Sequence, residues 1–112
     1  DAQKFYPHIP QSEFPGQALV VELYKTAGVR GVELGSCAFS KKNKETGEII
    51  YPDLELVRLT VSRRVYTNRH MDVVINALED VFKRRDQMKG LKLTYEGPII
   101  SLRHFTAKFE MI

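Results

Sequence analysis

Residues Tyr51–Thr67 read YPDLELVRLTVSRRVYT, and the apolar run Leu54 to Val61 within them has the length of a strand. Its near-continuous hydrophobicity predicts burial on both faces. Side chains alternate along a strand, so Leu54, Leu56, Arg58 and Thr60 share one face, and Val57, Leu59 and Val61 the other. Arg58 is the one permanent charge in the middle of this run. A guanidinium among leucines is costly unless an anion meets it. Glu55 points the other way, so the partner must come from elsewhere in the fold or from a ligand. A carboxylate suits best, because two parallel charge-assisted hydrogen bonds match its geometry. The plainer account of Arg58 is an internal ion pair, since buried arginines are normally paired.

Working outward, the preceding segment carries a helix pattern. Ser12 is a candidate N-cap, Pro15 stands just inside, and Leu19, Val20, Leu23, Tyr24 and Ala27 recur at helical spacing up to Gly28. The spacing predicts a helix over Phe14 to Ala27. Asp1 to Gln11, with Pro7 and Pro10, reads as an extended lead-in. Val29 to Cys37 reads as a strand, with Val32 and Leu34 opposite Gly31 and Glu33. KKNKETGE, Lys41 to Glu48, reads as the polar tip of a hairpin with Gly47 as its hinge. Lysines in such a tip stay solvated and protonated, so the Ser40-Lys41-Lys42 run is no candidate for Schiff-base chemistry.

Beyond the Arg58 strand, Thr67 is a good N-cap for a long helix. Met71, Val74, Ile75, Leu78, Val81 and Phe82 mark its apolar face, Glu79 and Lys83 form an i,i+4 pair, and Gly90 is its stop. Arg63 and Arg64 precede that helix on a solvated rim. Leu91, Leu93 and Tyr95 alternate with polar residues as a half-buried strand. Gly97-Pro98 turns, and Leu102 to Phe109 is predicted as the last strand. In that strand Leu102, His104 and Thr106 share one face, and Arg103, Phe105, Ala107 and Phe109 form the core face. The pattern of helix, two strands, helix, two strands implies an α+β fold with an antiparallel sheet and helices packed on one face.

The chain of 112 residues, 43% hydrophobic and 28% charged, is sized for a single domain, 1–112, and has the composition of a soluble globular one. A net charge of +3 without a polybasic block argues only weakly for nucleic acid, and the lack of a glycine-rich RNA motif and of an exposed aromatic platform argues against it. No apolar run reaches membrane-spanning length, and no signal-peptide pattern is present. The single cysteine, Cys37, has no internal disulfide partner and fits a reducing compartment, so a cytoplasmic location is expected. His8 and His70 have no second His, Cys or Asp at ligand spacing on a shared helix face, and no metal site is assigned.

VRLTVSRRVYTNRHMDVV, together with HIPQSEFPGQALVVELYKTAGVRGVELGS before it and LRHFTAKFE after it, resembles the tryptophanase and tyrosine phenol-lyase family of pyridoxal-phosphate-dependent β-eliminating lyases. The resemblance covers nearly the whole chain. Members of that family are several times longer, so it implies the C-terminal small domain of a fold-type I enzyme whose large cofactor-binding domain is absent here. It implies that Arg58 binds the α-carboxylate of the amino-acid substrate. It places His104 near the indole end of the substrate, where phenol-lyases typically carry phenylalanine. At Leu34 phenol-lyases carry an arginine that meets the phenol oxygen. Both positions therefore imply L-tryptophan as substrate, with tyrosine phenol-lyase as the near alternative and a stand-alone interaction module of the same fold as the distant one. Pyridoxal phosphate and a monovalent cation, potassium, are implied for the complete homotetrameric enzyme. The lysine and phosphate-binding groups belong to the large domain, so this segment alone is expected to bind neither and to be inactive.

Overall fold

Helix α2, Pro15–Ala27, is the element on which the others pack. A computed structural model describes all residues, 1–112. Helix α2 buries Ala18, Leu19 and Leu23 at the spacing that the sequence predicts, and Gly28 closes it in the left-handed region at φ +67°. Its start differs from expectation. Ser12 lies in a 3-10 turn, Gln11–Glu13, and the cap position falls to Phe14 at φ +54°. The Phe14 ring is held edge-on against Phe109, with centroids 5.2 Å apart.

The first residues are not an extended lead-in. Asp1 caps a short helix α1, Ala2–Phe5, which lays Ala2 and Tyr6 in the centre of the core, with Ile9 following. Two prolines obscured an apolar i, i+4 pair.

Strand β1 (Val32–Leu34) pairs antiparallel with a strand that holds Arg58 and, with the strands introduced below, is β4 (Leu56–Arg58). The register sets Val32 opposite Arg58, Glu33 opposite Val57, and Leu34 opposite Leu56. Between them the chain makes helix α3 (Ser36–Phe39), so β1 is shorter than the strand predicted to reach Cys37. A small hairpin follows, β2 (Lys41–Lys42) and β3 (Ile49–Ile50), turning at Gly47 with φ +73° as the sequence predicts.

The second long helix, α4 (Asn68–Lys83), follows Thr67. His70 Nδ1 accepts the Thr67 amide at 3.0 Å, the part usually taken by a glutamate or glutamine at this position. Helix α4 turns Ala77 and Val81 into the core, with Leu78 partly buried against it, while Ile75 and Phe82 remain exposed. It stops at Lys83 rather than at Gly90, and Arg84 pairs with Asp80 at 3.0 Å in place of the predicted Glu79–Lys83 contact.

Strand β5 (Leu91–Tyr95) forms as predicted and pairs antiparallel with β6 (Lys108–Met111). The predicted strand Leu102 to Phe109 is wrong for most of its length. A 3-10 turn, Ile100–Leu102, leads into helix α5 (Arg103–Thr106), and only then does β6 begin. Alternating apolar and polar residues over a few positions fit a single helical turn as well as a strand. Phe105, expected in the core, is therefore 82% exposed.

The α+β class and the antiparallel pairing stand. One continuous sheet does not: there are three two-stranded sheets, and α2 covers one side of the β1–β4 pair. The radius of gyration is 14.9 Å, above the roughly 13 Å of a compact chain of this length. Only 19 of 112 residues are buried, and large apolar side chains such as Leu54, Leu56, Val61 and Ile100 are exposed.

Candidate functional site

Arg58 lies on the open side of the β1–β4 pair. Cross-strand partners point the same way, so Val32, Leu34, Leu56 and Arg58 form one face, and Glu33, Glu55, Val57 and Leu59 turn toward α2 and the interior. The predicted alternation is right and the predicted burial is not: the strand is covered on one face only. Leu54, Leu56 and Arg58 are exposed, whereas Glu55 is fully buried. The sheet has two strands and a single covering helix, so its second face has no layer from this chain. The Arg58 side chain makes neither an ion pair nor a hydrogen bond within the chain. The internal ion pair that would explain it structurally is therefore absent, and its five donors are open to a ligand or to further protein.

Leu34 is half-buried on the same face as Arg58, separated from it by the breadth of the paired strands. His104 is placed differently. It stands on α5 rather than on a strand, and its Nδ1 approaches Glu33 Oε2, on the inward side, at 3.6 Å. The structure thus groups Leu34 with Arg58 and His104 with Glu33.

That inward side holds a polar cluster to which the sequence reading gave no role. Glu33 and Glu55, both essentially inaccessible, come together beside Gly35 and Gly16, whose missing side chains leave room for the two carboxylates. Glu33 Oε1 and Oε2 accept the amides of Cys37 and Ala38 at 3.0 and 3.1 Å. Glu55 Oε1 accepts the Ser36 amide at 2.8 Å, the Ser36 hydroxyl, and Gln11 Nε2 at 3.3 Å. Glu55 Oε2 and His104 Nδ1 are buried with no hydrogen-bond partner. Burial pushes the Glu33 carboxyl above its ordinary range; the Cys37 and Ala38 amides oppose the rise and Glu55 adds to it. Burial likewise pushes the Cys37 thiol up to about 11, Glu33 adding and Arg103 opposing. Arg103 donates to the carbonyls of Ser36 and Cys37 at 2.6 and 2.8 Å and to Glu96 at 3.1 Å, tying α5 to α3. Strand parity alone put Glu33 and Glu55 on the face opposite Leu34 and Arg58, and that was the signal available. Arg103 gave no signal, because its contacts to the Ser36 and Cys37 carbonyls span more than sixty residues.

His8 and His70 bond to the backbone, of Met88 and Thr67 respectively, as structural histidines. Lys41 and Lys42 are exposed. A groove of about 370 Å³ runs between the end of α2, Leu59–Val61 and the start of α4, lined by Arg30, Tyr66 and Met71 among others; Arg58, Leu34 and His104 are not part of it.

No protein-family model matches the chain. Individual proteins do. A tyrosine phenol-lyase of Symbiobacterium thermophilum is 54% identical over 112 residues, all of this chain and 24% of that protein. A tyrosine phenol-lyase of Nostoc punctiforme is 51% identical over 111 residues, 99% of this chain and 23% of that protein. A tryptophanase of Hyphomonas neptunium is 46% identical over 112 residues, again all of this chain and 24% of that protein. The chain spans about a quarter of the length of these relatives.

Proposed function

Because the chain belongs to the tyrosine phenol-lyase and tryptophanase family along its whole length, we propose that it is the C-terminal small domain of a longer pyridoxal-phosphate-dependent β-eliminating lyase. The observation that carries this reading is Arg58, an exposed guanidinium without a partner, on a sheet face shared with Leu34. In the longer polypeptide Arg58 grips the α-carboxylate of an amino-acid substrate through two parallel hydrogen bonds. The exposed apolar residues around it, Leu54 and Leu56 among them, support contact with the remainder of that polypeptide.

Pyridoxal phosphate, when bound, supplies the electron sink for removing the α-proton and expelling the β-substituent. The residues of this chain do not fit it alone. Every lysine is exposed, and none has the desolvated surroundings that an aldimine lysine needs. The lysine, the phosphate-binding groups and the ligands of a monovalent cation such as potassium are assigned to the rest of the polypeptide, and a cytoplasmic homotetramer to the whole. Those assignments follow from the family resemblance.

The substrate we favour is L-tryptophan, cleaved with water to indole, pyruvate and ammonia. Leu34 offers no donor to a phenol oxygen and suits an indole ring, and His104 stands in place of the phenylalanine of phenol-lyases. L-Tyrosine is the second reading, favoured by the higher identity to the two phenol-lyases, 54% and 51%, than to the tryptophanase, 46%.

Steady-state kinetics of the longer polypeptide test both levels. A site lacking a required polar contact discriminates strongly, so tryptophan should be preferred over tyrosine by at least about two orders of magnitude in kcat/KM. Leu34→Arg should narrow that gap. A preference for tyrosine overturns the substrate assignment and leaves the lyase reading intact. No turnover of either amino acid, together with no aldimine absorbance, overturns the lyase reading.

A further inference from the structure

Glu33, Cys37 and His104 come from β1, α3 and α5, and their carboxylate oxygen, Sγ and ring nitrogen all lie within 4.8 Å of one another. We propose that these three side chains form a binding site for a zinc-type divalent cation, with water as fourth ligand. The inference uses this chain's own residues and does not depend on the lyase reading.

The separation of His104 Nδ1 from Glu33 Oε2 is the first argument. At 3.6 Å it is too long for a hydrogen bond, and Nδ1 is buried without any other partner. Nitrogen and oxygen ligands about 2.0–2.2 Å from a tetrahedral zinc stand roughly 3.3 Å apart, close to what is seen. A thiolate ligand stands about 2.3 Å from zinc, and Sγ lies within 4.8 Å of both other ligand atoms.

Charge is the second. Glu33 and Glu55 are buried together, and Arg103, which is tied to the neighbouring Ser36 and Cys37 carbonyls, is already paired with Glu96 at 3.1 Å. A dication offsets the charges of one carboxylate and one thiolate, which lowers the cost of burying Glu33 beside Glu55. Thiolate and imidazole select zinc or cobalt over magnesium or calcium.

Support around the ligands is the third. The amides of Cys37 and Ala38 hold the Glu33 carboxylate, and Arg103 fixes the Ser36 and Cys37 carbonyls. Such outer contacts orient metal ligands. Glu33 and Cys37 are each 1% exposed and the His104 side chain 21%, so a metal enters from the His104 side.

Titrating the full chain with Zn²⁺, and with Co²⁺ followed by absorbance, tests the proposal. One equivalent should bind, with a thiolate-to-cobalt charge-transfer band, and Zn²⁺ should protect Cys37 from alkylation. Cys37→Ala and His104→Ala, each checked by circular dichroism, should each weaken binding at least tenfold, on the order of a lost metal contact. His70→Ala should not change it. Absence of one-equivalent binding, a cobalt complex without the thiolate band, or undiminished binding in a folded Cys37→Ala or His104→Ala variant would overturn the site. Because His104 and Cys37 are substituted separately, failure of one variant to fold leaves the other to decide.

Discussion

Glu55 accepts the backbone amide of Ser36 at 2.8 Å, so a carboxylate from the Arg58 strand satisfies the first free donor of α3, nineteen residues earlier in the chain. The same oxygen takes the Ser36 hydroxyl and Gln11 Nε2, which ties three segments to one buried atom. Glu55→Ala would leave those buried donors unmet. A loss of about 2–6 kcal/mol in unfolding free energy is expected, from the two buried Ser36 donors at about 1–3 kcal/mol each. Urea denaturation measures it, and a loss below about 0.5 kcal/mol would show that water replaces the carboxylate without cost.

Gly35 sits between the two carboxylates. A Cβ there would collide with Glu55 Oε2 and stand 2.7 Å from Glu55 Cδ and 2.8 Å from Glu33 Oε1. Gly35→Ala is expected to destabilise the chain by about 1–3 kcal/mol, the usual cost of overpacking a tight interior. Thermal denaturation beside Gly28→Ala is the comparison, because position 28 has open space and only its left-handed backbone at stake.

Arg58 should separate stability from function. Exposed and unpaired, it can be replaced by lysine or alanine with a change in chain stability within about 0.5 kcal/mol. On the proposed lyase reading, Arg58→Lys in the longer polypeptide would keep the charge and lose the two-pronged grip, so kcat/KM should fall by the equivalent of about 2–5 kcal/mol. Equal effects on both quantities would make Arg58 a structural residue.

Tyr6 predicts the alkaline limit of stability. Its ring is fully buried, its hydroxyl has no hydrogen-bond partner, and burial, followed by the charge of Glu22, raises its pKa above the ordinary 10.0. A raised folded pKa contributes stability that is complete below the unfolded pKa and is lost as the pH climbs through the folded one. Unfolding midpoints should therefore drop above about pH 10. In Tyr6→Phe that part of the drop should vanish, with stability at pH 7 unchanged or improved because no hydrogen bond is given up.

The periodic parts of this molecule were determined by its sequence. Helix α2 with Pro15 and Gly28, the Thr67 start of α4, the hairpin at Gly47, strand β5 and the alternation of Leu56, Val57 and Arg58 all follow from local spacing and capping. Each depends on neighbours a few residues away, which the chain carries wherever it folds. Tertiary structure decided the rest. Whether the Arg58 face is covered depends on how many layers pack on β1–β4, and parity cannot count layers. His104 became helical because α5 is held by Arg103 on carbonyls of α3, a contact spanning most of the chain. Tyr6 entered the core because it packs in one cluster with Leu19 and Leu23 of α2 and Ala77 and Val81 of α4. Glu33 and Cys37 are four residues apart and meet locally, but His104 joins them only through that long-range packing, since no spacing rule brings α5 to β1 and α3.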